Sequence, residues 1–254
     1  HLIHMKATTT TSQVSQVQIT GNTFEDHNLN TGALIKAESG NNRFIGIIEV
    51  VGNQFSGSVS DVFDSEGVFG LNISSNTVFN VEGYILHCTA YSGDIVVSNN
   101  TALTPPSFFN TGTRSTKLFR WSSDISGPII SVNIQGNLMS RILERVIDIN
   151  TTENINELSI INNTIQVRAG TEINNDYLIY LKGRSLNGIN VSHNIIRGRD
   201  GMTRGMLVRT VDSTQTLVNK LIVSNNMIRG IEDNINKYYL PLDVEGETIF
   251  VNNI

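Results

Sequence analysis

The sequence is poor in the residues that define several common protein classes. Its 254 residues include one cysteine, four prolines and one tryptophan. A single cysteine excludes a disulfide framework and a thiolate metal cluster, so we expect Cys88 to be a buried apolar side chain. No apolar run approaches the roughly 20 residues of a membrane span, and the N-terminus lacks the basic-then-apolar pattern of a secretion signal. The sequence therefore predicts no membrane insertion.

Charged residues are also sparse, at 16% of the chain, and the net charge is -5. Nucleic acids and anionic membranes select for clustered Lys and Arg, so the sequence predicts neither of them as a partner. The five histidines are scattered without metal-ligand spacing. We therefore expect no metal ion and no other cofactor.

Abundant residues point to strands and turns. Asn and Gly are frequent, whereas Val, Ile and Thr occur in short runs that lack helical periodicity. One motif of alternating apolar residues, a turn residue and then Asn recurs along the chain. Its copies are VQITGNTF at 17–24, IEVVGNQF at 48–55, LNISSNTV at 71–78, IVVSNNTA at 95–102, VNIQGNLM at 132–139, LSIINNTI at 158–165, INVSHNII at 189–196 and LIVSNNMI at 221–228.

Each motif predicts a half-buried strand that ends at a corner. The residue before the Asn is mostly Gly, Asn or Ser, which tolerate a left-handed backbone at low cost. The repeated residues are Asn22, Asn53, Asn76, Asn100, Asn137, Asn163, Asn194 and Asn226, with Asn253 in register as a partial ninth copy. Stacked side chains of this kind can form a ladder of amide hydrogen bonds. We therefore expect the Asn column to be structural.

A second strand recurs between the Asn motifs. Its copies are LIHMK at 2–6, LIKAE at 34–38, VFDSE at 62–66, ILHCT at 85–89, LFRWS at 118–122, VIDIN at 146–150, LIYLK at 178–182, LVRTV at 207–211 and YLPLD at 239–243. Every repeat thus has the same plan, which is typical of a solenoid. The predicted fold class is all-β, a right-handed parallel β-helix of about eight to nine coils with an Asn ladder.

The chain is predicted to be one β-helix domain over residues 1–254. The opening HLIHMKA matches YLIYLKG at 177–183, so a repeat already includes residue 1, and the chain stops at an Asn corner. Neither end shows a recognisable cap, and a bare coil exposes strand edges. The sequence therefore predicts an internal fragment of a longer chain that lacks both caps.

Short coils, an Asn ladder at one corner and variable loops resemble the pectate-lyase-like right-handed β-helices over essentially the whole chain. Within that superfamily, the uneven coils rich in Asn and Ser look like bacteriophage tailspikes and capsule depolymerases. This resemblance implies a homotrimer that acts on bacterial surface polysaccharide, located in the virion tail or outside the cell. The paired-Asp and Gly-His pattern of polygalacturonases is absent, and no family catalytic residue carries over.

Candidate site residues come from the alternation of the second strand, whose third and fifth residues should point away from the core. Charged, imidazole and phenolic groups on a rigid sheet suit a polysaccharide, which offers hydroxyls and carboxylates at regular intervals. The predicted substrate-binding residues are Lys36, His87, Arg120, Asp148, Tyr180 and Arg209.

Three carboxylates form the candidate catalytic cluster, namely Glu38, Asp64 and Glu66. Glu38 and Glu66 should lie one coil apart, near the roughly 5–5.5 Å of a retaining glycosidase pair, and crowding of like charges would raise one pKa to make an acid. The structural alternative is a solvated ladder of cross-strand charges along the same column, worth a few tenths of a kcal/mol per pair.

The first residue of the second strand is apolar in every copy, and two explanations stay open. Strict alternation would place it outside as an apolar stripe and hence a subunit interface, whereas a bend at the corner would turn it inward. These residues are Leu2, Leu34, Val62, Ile85, Leu118, Val146, Leu178, Leu207 and Tyr239.

The leading functional hypothesis is a tailspike-like receptor-binding protein that recognises a bacterial surface polysaccharide. As an enzyme it would be a depolymerase, either a glycoside hydrolase or a lyase. One alternative is a non-catalytic β-helical adhesin or structural rod, and another is a monomeric polysaccharide lyase or epimerase. Fold resemblance alone does not choose among them.

Overall fold

The computed structural model describes residues 1–7, 16–25, 32–39, 45–57, 60–89, 93–104, 116–122, 127–142, 145–167, 177–198, 204–210, 217–230, 238–239, 247–251 and 253. Their regular structure consists of 28 β-strands that form three parallel sheets. In the described ranges, each of the first eight coils contributes one main strand to each sheet in turn, the last coil contributes a strand to two of the sheets, and successive coils stack. No helix of the length and hydropathy needed to span a membrane occurs in these ranges.

The three sheets run the length of the molecule. Sheet 1 contains β1 (Ile3–Ala7), β4 (Ile35–Ser39), β7 (Phe63–Glu66), β10 (Tyr84–Cys88), β13 (Lys117–Trp121), β16 (Ile147–Asn150), β19 (Tyr177–Gly183), β23 (Arg204–Thr210) and β27 (Tyr238–Tyr239). Sheet 2 contains β2 (Gln16–Thr20), β5 (Ile45–Val51), β8 (Val68–Ser74), β11 (Asp94–Ser98), β14 (Ile129–Gln135), β17 (Ile155–Ile161), β21 (Ile189–Ser192), β25 (Lys220–Ser224) and β28 (Glu247–Val251), with the short β20 (Ser185–Leu186) and β24 (Leu217–Val218) beside them. Sheet 3 contains β3 (Thr23–Glu25), β6 (Gln54–Ser56), β9 (Thr77–Phe79), β12 (Thr101–Leu103), β15 (Leu138–Ile142), β18 (Thr164–Val167), β22 (Ile195–Arg197) and β26 (Met227–Arg229).

Neighbouring strands in each sheet come from successive coils and are parallel. A crossover between parallel strands of one sheet is right-handed in nearly all proteins, because the twist of the strands favours that hand. The fold is a right-handed parallel β-helix, so the predicted fold class is confirmed.

The Asn column forms a continuous ladder of buried side chains at the corner between sheets 2 and 3. Asn137 shows the pattern: its Oδ1 accepts hydrogen bonds from the backbone N–H of Asn100 at 2.9 Å and from Asn100 Nδ2 at 3.0 Å. Its own Nδ2 donates to the Val97 carbonyl at 2.9 Å and to Asn163 Oδ1 at 2.9 Å. Each carboxamide thereby satisfies backbone groups at a buried corner, which strand pairing alone would leave unpaired.

The residue before each ladder Asn has the left-handed backbone that the sequence predicts. The φ angles are 67° at Gly21, 68° at Gly52, 56° at Ser75, 54° at Asn99, 66° at Gly136, 57° at Asn162, 57° at His193 and 54° at Asn225. Gly avoids the Cβ penalty of this conformation, and Asn tolerates it, so the motif turns the chain at a fixed point in every coil.

The core fills the space between the sheets with aliphatic and aromatic side chains. Phe63, Phe119 and Trp121 are fully buried, and so is Cys88, as the sequence predicts. The apolar residue that begins the second strand is also buried, at 0% exposure in Leu34, Val62, Ile85, Leu118, Val146 and Leu178. Of the two explanations that the sequence left open, burial supports the inward bend for these six residues and excludes an apolar stripe formed by them. Leu2, in the first coil, is 48% exposed.

The predicted register of the second strand holds from β1 to β19 and then slips by two residues. Leu207 pairs with Tyr180, and Arg209 pairs with Lys182. Leu207 is therefore not the first residue of its repeat, and Arg209 belongs to the fifth column and not to the third. Tyr239 pairs with Leu207, which carries the same shift into β27.

Candidate functional site

The outer face of sheet 1 carries two neighbouring columns of polar side chains, which we call the charged face. Strand pairing aligns its third column, which contains His4, Lys36, Asp64, His87, Arg120, Asp148 and Tyr180. The fifth column includes Lys6, Glu38, Glu66, Asn150 and Lys182. Strands in a parallel sheet lie about 4.8 Å apart, so equivalent side chains on consecutive coils are within contact distance. The structure thus places every predicted site residue from Lys36 to Tyr180 on one face of sheet 1.

Glu38 is held by two side chains from the preceding coil. Lys6 Nζ lies 2.6 Å from Glu38 Oε1, and His4 Nε2 lies 3.0 Å from Glu38 Oε2. The hydrogen bond from Lys6 lowers the pKa of the Glu38 carboxyl below its ordinary value of 4.5; partial burial opposes this shift, and His4 and Lys36 add to it. Glu38 is therefore a carboxylate at neutral pH and is suited to be a base or a nucleophile, not the acid of a catalytic pair.

Lys36 is the cation shared by all three candidate catalytic carboxylates. Its Nζ lies 4.0 Å from Glu38 Oε2, 3.9 Å from Asp64 Oδ2 and 3.5 Å from Glu66 Oε2. Glu38 Oε2 and Glu66 Oε2 both lie within 4.0 Å of the same Lys36 Nζ, so these two oxygens are close to each other. The cluster is compact enough for two carboxylates to act on one bond, and the lysine offsets their mutual repulsion.

Glu66 and Asp64 differ in their other contacts. Glu66 Oε2 is inaccessible to solvent and accepts no hydrogen bond from the described residues, and Lys36 Nζ lies 3.5 Å from it. Asp64 Oδ1 accepts a hydrogen bond from the Thr89 hydroxyl at 2.8 Å. Of the two, Asp64 is oriented by a hydrogen bond and its side chain is 18% exposed, whereas the side chain of Glu66 is 33% exposed.

A second cluster lies further along the same face. Arg145 NH1 lies 2.7 Å from Asp148 Oδ1, and the Arg145 guanidinium lies over the Tyr180 ring at 4.0 Å from its centroid. Arg120 Nε lies 4.0 Å from Asp148 Oδ2 and is half exposed. The charged face therefore has a carboxylate-rich half around β4 and β7 and an arginine-rich half around β13 to β19.

His87 lies between these halves and has two partners that the sequence analysis missed. Its Nδ1 lies 2.9 Å from Asp61 Oδ2, and its Nε2 lies 2.8 Å from Ser122 Oγ. The three residues come from three consecutive coils, 26 and 35 residues apart. Alignment of the repeats by register would have placed Ser122 diagonally across from His87, but Asp61 precedes its strand and lies outside the alternation pattern.

Among the described residues, no group of three or more His, Cys, Asp or Glu side chains could hold a metal ion. The fold and the charged face define a parallel β-helix with an Asn ladder and a polar, sheet-mounted candidate binding surface. Comparisons with protein-family models, with curated proteins and with solved structures found no match to this chain.

Proposed function

We propose that the charged face binds a bacterial surface polysaccharide, as in a tailspike-like receptor-binding protein of a virion tail or an extracellular counterpart. The observation that carries the proposal is the continuous row of polar side chains on seven consecutive coils, from His4 to Tyr180. From β4 to β19 the row is mounted on strands whose opposite face is buried in the core, so these groups are held in fixed positions. A linear glycan presents its own polar groups at regular intervals along an extended chain, which matches a row with the spacing of the coils.

The two halves of the charged face have different proposed roles. Arg120 is 45% exposed and presents a guanidinium that can bind sugar hydroxyls or carboxylates. Glu38, Asp64 and Glu66 form the proposed depolymerase centre, with Glu38 as the ionised partner of the pair. This assignment favours a glycoside hydrolase, because that reaction needs two carboxylates on either side of one bond.

The proposal is tested with a panel of capsular and O-antigen polysaccharides and four single variants. Arg120→Ala should weaken glycan binding, whereas Glu38→Gln, Asp64→Asn and Glu66→Gln should retain binding, and at least one should lose release of reducing ends. Ser159→Ala, on the outer face of sheet 2, is the matched control and should change neither. Binding without cleavage by the unmodified protein would favour the adhesin or rod, and an unsaturated sugar product would favour the lyase.

The proposed homotrimer rests on apolar side chains exposed on the other two sheets. Phe69 is 60% exposed on sheet 2, and Phe79 is 44% exposed on sheet 3. Exposed aromatic side chains of this size are common at subunit interfaces. Light scattering should give three times the chain mass for the unmodified protein and a smaller mass for the Phe69→Ser, Phe79→Ser double variant. A monomeric unmodified protein would overturn the trimer.

A further inference from the structure

We propose that Ser122 is a nucleophile for carboxylic esters, activated by His87 and Asp61. The three side chains form one chain of hydrogen bonds, with Asp61 Oδ2 2.9 Å from His87 Nδ1 and His87 Nε2 2.8 Å from Ser122 Oγ. This is the order of acid, base and nucleophile that defines a serine triad, which is recognised by geometry and not by sequence position. The activity is distinct from polysaccharide backbone cleavage, which involves the Glu38, Asp64 and Glu66 cluster.

Asp61 is fixed in the orientation that this role requires. Its Oδ1 accepts a hydrogen bond from the Tyr84 backbone N–H at 2.7 Å, which leaves Oδ2 for His87. Gly83 makes this contact possible, because a β-carbon at position 83 would collide with the amide nitrogen and the carboxylate of Asp61. With a carboxylate at Nδ1, the imidazole carries its proton on that nitrogen and accepts the Ser122 hydroxyl proton at Nε2.

The other two members are held by the strands of sheet 1. His87 lies within β10, and Ser122 follows directly after β13, where its backbone N–H donates to the Cys88 carbonyl at 3.0 Å. Cys88 and Trp121, the neighbours of these two residues in the chain, are buried in the core beneath them. The side chains of His87 and Asp61 are 16% and 20% exposed. The hydrogen-bond chain from Asp61 to Ser122 is therefore partly shielded from water and still open to a ligand on the charged face.

The reaction follows from these positions and consumes one water molecule. Ser122 Oγ attacks the ester carbonyl carbon while His87 Nε2 takes the hydroxyl proton; the bond to the alkoxy oxygen then breaks, and the alcohol leaves with that proton. Water adds to the acyl-serine, giving its proton to His87, and collapse releases the carboxylic acid and returns a proton to Ser122 Oγ. Arg120 lies two residues before Ser122 in the chain, and we assign its guanidinium to the oxyanion.

The substrate class follows from where Ser122 is placed, and this step rests on the proposed function. An open sheet face does not enclose a long acyl chain, but it can receive a small acyl group that projects from an extended polymer lying on the face. The natural substrate is therefore an O-acylated polysaccharide, such as one bearing O-acetyl groups, and the product is the deacylated glycan.

The first experiment tests the nucleophile without any glycan. The protein is incubated with a serine-directed fluorophosphonate probe and, separately, with an aryl acetate whose hydrolysis is followed by absorbance. We expect covalent labelling of the peptide that contains Ser122, and complete loss of labelling and hydrolysis in Ser122→Ala. Asp61→Asn should remain folded and lower the rate by on the order of 10³–10⁴-fold, because it disturbs the imidazole tautomer.

Two controls test whether a loss of activity comes from the Asp61, His87 and Ser122 side chains and not from another hydroxyl or from unfolding. Ser159→Ala removes a hydroxyl from the outer face of sheet 2 and should label and hydrolyse like the unmodified protein. Circular dichroism of each variant shows whether the β-helix is intact. Equal hydrolysis by Ser122→Ala, or absence of Ser122 labelling in a folded protein, overturns the nucleophile.

The second experiment separates this inference from the function on which its substrate rests. Glycan binding and acetate release are measured side by side on an O-acetylated polysaccharide and on the same polysaccharide after chemical deacetylation. Acetate release that depends on Ser122 supports the substrate class, and binding with no release overturns it. Absence of binding to any glycan, with Ser122 still labelled by the probe, overturns the proposed function and leaves the nucleophile supported.

Discussion

Replacement of Asn137 by alanine should remove about 4 kcal/mol from the free energy of unfolding. The side chain of Asn137 is 1% exposed and makes four buried hydrogen bonds, two as acceptor from Asn100 and two as donor to Val97 and Asn163. It also donates a part-buried hydrogen bond to the Gln135 carbonyl. Alanine leaves each partner group buried without that bond. A buried intramolecular hydrogen bond contributes about 1 kcal/mol net to stability, so the loss of four gives the expected value.

The measurement is urea unfolding followed by far-ultraviolet circular dichroism and by the fluorescence of Trp121, the single tryptophan. The control is Asn133→Ala, an Asn in the same coil on the outer face of sheet 2, whose Nδ2 makes one long bond of 3.4 Å to Gln135. That change should stay within about 0.5 kcal/mol. A loss below about 1 kcal/mol for Asn137→Ala, or one equal to that of the control, would refute the ladder argument and mean that water replaces the amide.

Three further predictions follow from other parts of the β-helix. Gly93→Ala should destabilise the protein by about 1–3 kcal/mol in urea unfolding, because its β-carbon would collide with a backbone carbonyl of the preceding coil, whereas Gly70→Ala has room and should be nearly neutral. Because the pKa of Glu38 is lowered, its ionised carboxylate stabilises the protein above pH 4.5, and this contribution is lost as the pH falls below that value. Glu38→Gln should therefore destabilise the protein at neutral pH and have no effect in acid. An equal effect at both pH values would contradict the ion pairing. Cys88 is 0% exposed and should react with a thiol reagent only in urea, and rapid reaction in the folded protein would refute its burial.

Much of the fold could be predicted because two independent signals fix each coil. The apolar alternation sets which face of a strand is buried, and the Asn at the corner sets where the strand ends, so the registers of sheet 2 are fully determined. Sheet 1 has no such anchor. Met206 and Val208 both face the core, so the alternation alone allows either of them to pair with Ile179, and the prediction chose Val208 where the structure has Met206.

The candidate site was predicted only in part, and the reason is geometric. Periodicity assigns residues to a face, so it brought Lys36, Asp64 and Glu66 together correctly. It does not say how a side chain turns once it is on that face. His87 turns toward Asp61 and Ser122, and the position of Asp61 depends on Gly83, which directly precedes the strand of His87.

All side-chain hydrogen bonds of the Asn ladder run in the same direction, so its first and last Asn have different hydrogen-bonding roles. In every step the carboxamide nitrogen of one coil donates to the carboxamide oxygen of the following coil, from Asn22 to Asn253. The amide dipoles therefore align and polarise one another. A coil grafted ahead of Asn22 has to supply a donor, and one grafted beyond Asn253 has to supply an acceptor. Designed extensions or fusions of this β-helix can continue the ladder only when they are joined head to tail.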